Sequence, residues 1–274
     1  MPLLHVLILA LVQGVTEFLP ISSSGHLILT WQILDGAGVE GVPNGEAQRL
    51  ILDVAVHLGT LFAVLLYFRR DVAEMIAGAL KLMTGQRTQG GTLAIMVVFA
   101  TLPVVAAGVS FKDEITAFLR DPVVIAWATI GFGLLLYMGD RWGATNLRLV
   151  NMNYGRALVI GVAQVLALVP GTSRSGITMT AARFLGFERT EAARFSMLLA
   201  IPAILGAATL AGLDLVRLGD LALGLDALLA AVLAFLAALA AIALMMAWLK
   251  RATFTPFVIY RVLLGILLLA ILYS

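Results

Sequence analysis

Residues able to move protons and hold phosphate crowd into two short runs of an otherwise apolar chain, Gln13 to His26 (QGVTEFLPISSSGH) and Gln164 to Gly176 (QVLALVPGTSRSG). Gln13 and Glu17 are four residues apart, so on a helix both side chains point at the same space. Pro20 ends that helix. Ser22, Ser23 and Ser24 then supply hydroxyls and backbone donors at the start of the next helix, where the macrodipole is positive, with Gly25 and His26 in its first turn. In the second run Ser173 and Ser175 flank Arg174, again ahead of a helical pattern, and Gly176 follows. Two helix N-termini, several hydroxyls and a guanidinium converging on one cavity make an anion site, most naturally for phosphate.

Each feature also has a plainer explanation. A serine-rich stretch after proline is often only a helix cap, and a lone histidine can be a satisfied core residue. Arg261, in the last apolar segment, could snorkel to the interface instead of joining the site. Asp53 and His57, at i and i+4, read as structural, and Met245, Met246 and the Ala/Leu-rich stretch around them read as lipid or helix packing. A glutamate inside an apolar segment differs, because burying a carboxylate is costly and such a residue is functional by default. Setting Gln13 over Gln164 places Ser22 on Ser173, Ser24 on Ser175 and Gly25 on Gly176 without a gap, at a constant offset of 151 residues. That repetition raises the functional reading above each separate plain one.

The elements that must position these groups follow from composition. Hydrophobic residues make up 61% of the 274 and charged residues 12%, and the mean hydropathy is +1.03; this is a polytopic membrane protein. Six apolar segments are long enough to cross a hydrocarbon core of about 30 Å, at 50–68, 92–110, 122–139, 190–212, 222–249 and 256–273. The opening MPLLHVLILALV lacks the basic region and small-residue cleavage site of a signal peptide. It is too short to span, and with the serines behind it reads as a re-entrant hairpin over 1–34. The second motif gives another over 156–184. Broken backbone at membrane depth is tolerated where protein covers it or it lines a polar cavity. The expected fold is therefore all-α, with two repeats, 1–140 and 141–274, each one re-entrant helical hairpin plus three transmembrane helices in a single membrane domain.

Three spans per half is an odd number, so the two repeats enter the membrane from opposite sides and have inverted topology. Basic residues give the orientation. Twelve lie on one side (Arg69, Arg70, Lys81, Arg87, Arg141, Arg148, Arg156, Arg183, Arg189, Arg194, Lys250, Arg251) and four on the other (Arg49, Lys112, Arg120, Arg217). The richer side is expected to be cytoplasmic, so the first hairpin dips from the outer face and the second from the inner face, their tips meeting near the midplane. Basic residues spread among membrane loops argue against nucleic acid as a partner. With no cysteine, thiol catalysis, disulfides and cysteine zinc sites are excluded.

The pair Gln13-x-x-x-Glu17-Phe-Leu-Pro-Ile-Ser-Ser-Ser-Gly-His26 and Pro170-Gly-Thr-Ser-Arg-Ser-Gly176 resembles the undecaprenyl-diphosphate phosphatase family, also called bacitracin resistance proteins, and the similarity runs over the whole chain, including Tyr260-Arg261. The resemblance implies an integral enzyme of the bacterial cytoplasmic (inner) membrane that hydrolyses undecaprenyl diphosphate to undecaprenyl phosphate, recycling the lipid carrier of cell-wall synthesis, with its site open to the periplasm. It implies that Glu17, Ser23, His26, Ser173, Arg174 and Arg261 belong to the site, with a divalent cation, Mg or Ca, on Glu17 and Gln13 nearby; joined to the anion-site reading of the two motifs, this makes Glu17, Ser23, His26 and Arg174 the candidate catalytic residues and Ser22, Ser24, Gly25, Ser173, Arg174, Ser175, Gly176 and Arg261 the candidate diphosphate-binding ones. A homodimer is compatible with it. Two positions depart mildly: Gln13 stands where members have Glu or Gln, which shifts the acidic burden to Glu17, and Ser24 stands where many have Thr.

The residues themselves leave the attacking group open among Ser23, His26 and a water; Ser23 with His26 and Glu17 assisting is the favoured arrangement. Inverted repeats with broken helices are also the architecture of secondary transporters, so transport or flipping of a phosphorylated lipid is the alternative. A carboxylate, a histidine, serines and an arginine together favour hydrolysis, since they provide base, nucleophile and phosphate clamp. A non-catalytic membrane scaffold does not need that concentration of buried polar groups.

Overall fold

A computed structural model describes residues 3–36, 46–111, 121–218 and 224–273, and among them every element is helical. The helices are α1 (Leu3–Thr16), α2 (Ser23–Gly36), α3 (Glu46–Tyr67), α4 (Arg69–Met83), α5 (Gln89–Ser110), α6 (Pro122–Trp142), α7 (Tyr154–Val165), α8 (Arg174–Phe184), α9 (Arg189–Leu218), α10 (Gly224–Leu249) and α11 (Thr255–Tyr273). Six are long and apolar enough to cross a membrane, α3, α5, α6, α9, α10 and α11, which are the six segments expected from hydropathy. The segments read as hairpins hold the helix pairs α1–α2 and α7–α8, each pair separated by a short turn carrying the polar motif.

Local sequence accounts for the helix starts. Thr88 caps α5 by accepting from Gly91 N at 3.1 Å, Asp121 caps α6 ahead of Pro122, and Asn153 caps α7 through Arg156 N at 2.9 Å. Helix α4 lies in what the sequence reading treats as a charged loop; Asp71 in its first turn and Lys81 in its last match the macrodipole.

The first arms of the hairpins pack crosswise. Helix α1 lies on α10, where a Cβ on Gly14 would sit 2.7 Å from Ala234 O. Helix α7 lies on α5, where a Cβ on Gly161 would sit 2.3 Å from Ala100 O. Small residues let these backbones approach, as membrane helix packing requires. Helix α3 also packs on α9 and α6 on α11, and the hairpins are held within this frame. The largest buried cluster includes Phe18, Leu61, Met96, Met179, Phe195, Leu198 and Phe254, joining the first hairpin to α3, α5, α8, α9 and the start of α11. At one end Asp140 accepts from Arg183 Nε (3.2 Å), Arg189 Nε (2.6 Å) and Phe254 N (3.1 Å), tying α6 to α8, α9 and the α10–α11 turn.

Candidate active site

Both hairpin tips turn in the same unusual way. Ser22 has φ 76° and Ser173 φ 72°, and these are the two non-glycine residues with positive φ among the described residues. L-residues adopt this region at a cost, which the surroundings must hold in place. Each serine is then the cap of its helix: Ser22 Oγ accepts from Gly25 N at 3.4 Å and Ser173 Oγ from Gly176 N at 3.1 Å. The carbonyls repeat the match, Ser22 O accepting from His26 N and Ser173 O from Ile177 N. Because the N–H groups of the first residues of a helix have no acceptor inside it, the starts of α2 and α8 are donor-rich at the same relative place.

The tips are also bonded to each other. Gly171 N donates to Ser22 Oγ at 3.1 Å and Ser175 Oγ donates to Leu19 O at 2.9 Å. Arg261, fully buried, donates to Pro20 O (3.1 Å) from one hairpin and Gly171 O (2.9 Å) from the other, as well as to Thr129 O (3.0 Å) and Ala128 O (3.4 Å) of α6. Pro20 and Gly171 are themselves 151 residues apart. The guanidinium thus lies on backbone carbonyls of both turns and of α6. Its buried charge needs those acceptors, and it holds the two turns together. Ser22, Gly25, Ser173, Ser175 and Gly176 are buried behind the tips, so they shape the cradle from within.

On the more open side, Glu17 collects the chemistry. Its Oε2 accepts from Ser23 Oγ at 2.7 Å and from Gln13 Nε2 at 2.8 Å, and its Oε1 accepts from Arg174 Nη2 at 3.0 Å. Residues 157 apart in sequence therefore meet on one carboxylate. Ser23 and Arg174 are partly exposed and Ser24 is exposed, with Ser24 Oγ 3.4 Å from Ser22 Oγ. Arg174 Nη1 reaches Ser196 O at 3.4 Å, and Ser196 in turn meets Thr178 Oγ1 at 2.7 Å. Neither Ser196 nor Thr178 is in the motifs as read; their only sequence signal is a hydroxyl inside an apolar helix.

Two histidines flank this centre. His26 Nδ1 lies 2.7 Å from Ser22 O and Nε2 lies 2.6 Å from the Tyr260 hydroxyl, with the two rings stacked. A carbonyl can only accept, so Nδ1 carries the proton and the neutral ring accepts from Tyr260 O–H. His26 thus engages Tyr260, not Glu17. His57, read as structural, lies with Nε2 4.0 Å from Glu17 Oε2 while its Nδ1–H donates to Asp53 O at 2.6 Å. The sequence spacing joins His57 to Asp53 but holds no sign of its approach to Glu17, which depends on how α3 packs beside the first hairpin.

The donor set also fits a divalent cation. Gln13 Oε1 is buried with no hydrogen-bond partner, next to the Glu17 carboxylate, and hard cations take such carbonyl and carboxylate oxygens. Among the described residues no three His, Cys, Asp or Glu side chains cluster as metal ligands, so substrate oxygens and water would complete the shell.

The sequence profile of a family described as "Bacitracin resistance protein BacA" matches residues 6–267. The chain is 54% identical over 275 residues to "Undecaprenyl-diphosphatase 1" of Rhodospirillum rubrum, an alignment covering 100% of this chain and 96% of that protein. It is 49% identical to "Undecaprenyl-diphosphatase" of Jannaschia sp. and 46% identical to that of Roseobacter denitrificans, in both cases over 100% of each chain.

Proposed function

Because the chain belongs to the bacitracin resistance protein family, we propose that the meeting of Glu17, Ser23 and Arg174 is the active centre of an undecaprenyl-diphosphatase. The protein is a membrane hydrolase that converts undecaprenyl diphosphate and water to undecaprenyl phosphate and inorganic phosphate, which recycles the lipid carrier for cell-wall synthesis and confers bacitracin resistance. The observation that carries the site is the 2.7 Å bond from Ser23 Oγ to Glu17 Oε2, made while Glu17 Oε1 holds Arg174 of the other hairpin.

In this reading Ser23 Oγ attacks the terminal phosphorus, its proton passes to Glu17, and the bond from phosphorus to the bridging oxygen breaks, releasing undecaprenyl phosphate. A water then cleaves the phosphoserine, the serine recovers a proton and inorganic phosphate leaves. Arg174 has N–H groups beyond its bonds to Glu17 and Ser196 O, and these with the first N–H groups of α2 and α8 stabilise charge on the phosphoryl oxygens, where most of the catalysis of phosphoryl transfer lies. His26, held in one tautomer by Ser22 O and Tyr260, serves the water step. Arg261 acts by fixing both tips. A divalent cation, if bound, would sit on Gln13 Oε1 and Glu17 and supply neutralising charge to the diphosphate. The serine–carboxylate contact supports hydrolysis over the transporter reading, since moving a lipid needs no base beside a hydroxyl.

The two halves, 1–140 and 141–274, are inverted-topology repeats. Support comes from the matched turns at Ser22 and Ser173, from the reciprocal packing of α1 on α10 and α7 on α5, and from the pairs α3–α9 and α6–α11, each of which joins equivalent helices. The face rich in Lys and Arg is cytoplasmic in the bacterial inner membrane, and the site opens to the periplasm. On the poorer face Lys112 and Arg120 lie outside the described residues, as does the side chain of Arg217. The test is phosphate release from a prenyl diphosphate by purified protein in detergent: turnover that falls at least a hundredfold in Glu17→Gln is expected, and unchanged turnover in that variant refutes the site.

A further inference from the structure

Helix α4 has three distinct sides. Its packed side is Asp71, Met75, Gly78 and Leu82, set against α5 and, through Asp71, bonded to Arg194 of α9. The opposite side is Ala73, Ile76, Ala77, Leu80 and Met83, spaced i, i+3, i+4, i+7 and i+10, all exposed, with Ile76 59%, Leu80 61% and Met83 85% accessible. Between them runs an edge of Arg70, Glu74 and Lys81. A helix of 15 residues is too short to span, and a free apolar stripe of this length in water would be a liability.

Its place along the chain identifies what covers the stripe. Membrane-crossing helix α3 ends at Tyr67 and α4 starts at Arg69, while α5 begins six residues after α4 ends. Helix α4 is thus fixed at the level where α3 leaves and α5 enters the apolar layer. Partly or well exposed aromatics mark that boundary on neighbouring helices at the same end of the bundle: Trp142 ends α6, Tyr154 begins α7 and Trp248 lies at the end of α10, as interfacial aromatics do. Arg69, Arg70, Lys81 and Arg87 are exposed and form no ion pair with the described residues. An apolar stripe facing away from the protein, a cationic edge and a boundary position are the properties of an interfacial helix.

We propose that α4 is a binding surface for anionic phospholipid, its Ala73–Ile76–Ala77–Leu80–Met83 stripe in the acyl boundary and Arg69, Arg70, Lys81 and Arg87 on the headgroup phosphates. Each basic residue near an anionic membrane surface adds to the attraction, so binding depends on lipid charge as well as on apolar burial. The occupant is the bilayer that already surrounds α3 and α5, and a second copy of the chain on the same stripe is the rival.

The absence of cysteine in the sequence makes the test direct. Single nitroxide labels at Ile76→Cys, Leu80→Cys, Lys81→Cys and Arg70→Cys are read by EPR collision with oxygen and with a water-soluble nickel chelate, in full-length protein in vesicles of phosphatidylcholine alone or with phosphatidylglycerol. Labels at 76 and 80 should be more accessible to oxygen and those at 70 and 81 to nickel, and phosphatidylglycerol should deepen the label at 80. Adding Arg69→Gln and Arg70→Gln to the Leu80 variant should remove that deepening. Equal nickel access at all four positions overturns the proposal. Depth independent of phosphatidylglycerol overturns its anionic part, and dipolar broadening at 76 or 80 that disappears on dilution with unlabelled protein assigns the stripe to a second copy instead. Phosphate release by each labelled variant confirms that it is folded, since α4 contributes nothing to the Glu17 centre.

Discussion

If Ser23 and Glu17 act as one nucleophile-and-base unit, removing both should cost no more than removing the costlier one. Ser23 Oγ donates to Glu17 Oε2 at 2.7 Å, so Ser23→Ala deletes the attacking oxygen and Glu17→Gln deletes the proton acceptor. A positioned base is worth roughly 10²- to 10⁴-fold in rate, about 2.7 to 5.4 kcal/mol at 1.36 kcal/mol per decade. Independent contributions would multiply, giving roughly 10⁴- to 10⁸-fold in the double variant, whereas a unit leaves the double variant near the worse single. The gap of two or more decades is readable as phosphate release from a prenyl diphosphate at saturating substrate. Glutamine keeps an acceptor for Ser23 but leaves the Arg174 cation, 3.0 Å away, without its counter-charge. Stability should therefore fall by about 1 to 3 kcal/mol, and melting temperatures in detergent must accompany the rates. Multiplicative losses, or Ser23→Ala within fivefold of the parent, would refute the reasoning and give the attack to water or His26.

Arg174→Lys keeps the charge but loses the planar fork, and turnover should drop by about a hundredfold or more; near-parental phosphate release would reduce Arg174 to general attraction. Arg261→Lys can at best reach three of its four carbonyls, and should lower stability by about 2 to 4 kcal/mol with KM unchanged. A raised KM at unchanged melting temperature would return Arg261 to the diphosphate. For orientation, Phe111→Cys should react with an impermeant maleimide in intact spheroplasts, while Gln86→Cys and Thr145→Cys should react only after permeabilisation; the reverse pattern inverts the topology.

The spans were legible because a bilayer demands apolar runs of fixed length, and all six appear where hydropathy puts them. Helix α4 was not, since its apolar residues recur at helical spacing among charges and never form a run long enough to span; only periodicity within 69–83 could have revealed it. In the site, the i, i+4 rule gives the contact of Gln13 with Glu17, and the repeated serines give the two caps. Local spacing cannot give partners from elsewhere in the chain. The approach of His57 to Glu17, the engagement of His26 by Tyr260 and the use of Arg261 on backbone carbonyls are all set by how α3 and α11 lie against the tips.

The duplicated motif separates scaffold from chemistry. Positions that match across the offset of 151 residues, Ser22 with Ser173, Ser24 with Ser175 and Gly25 with Gly176, form the left-handed turn, the cap and the close helix start in both hairpins. In the proposed mechanism the positions that differ carry the reacting groups: Glu17 stands opposite Leu168, Ser23 opposite Arg174 and His26 opposite Ile177. A symmetric pair of tips would present either two carboxylates, which repel, or two guanidiniums, which cannot remove a proton. Diphosphate hydrolysis needs a base and hydroxyl on one side and positive charge on the other. The divergence supplies this, since Glu17 and Ser23 come from one tip and Arg174 from the other, joined within 3.0 Å. Arg261 sits beneath both, on the matched carbonyls of Pro20 and Gly171, so the shared backbone fixes the distance across which the unlike side chains act.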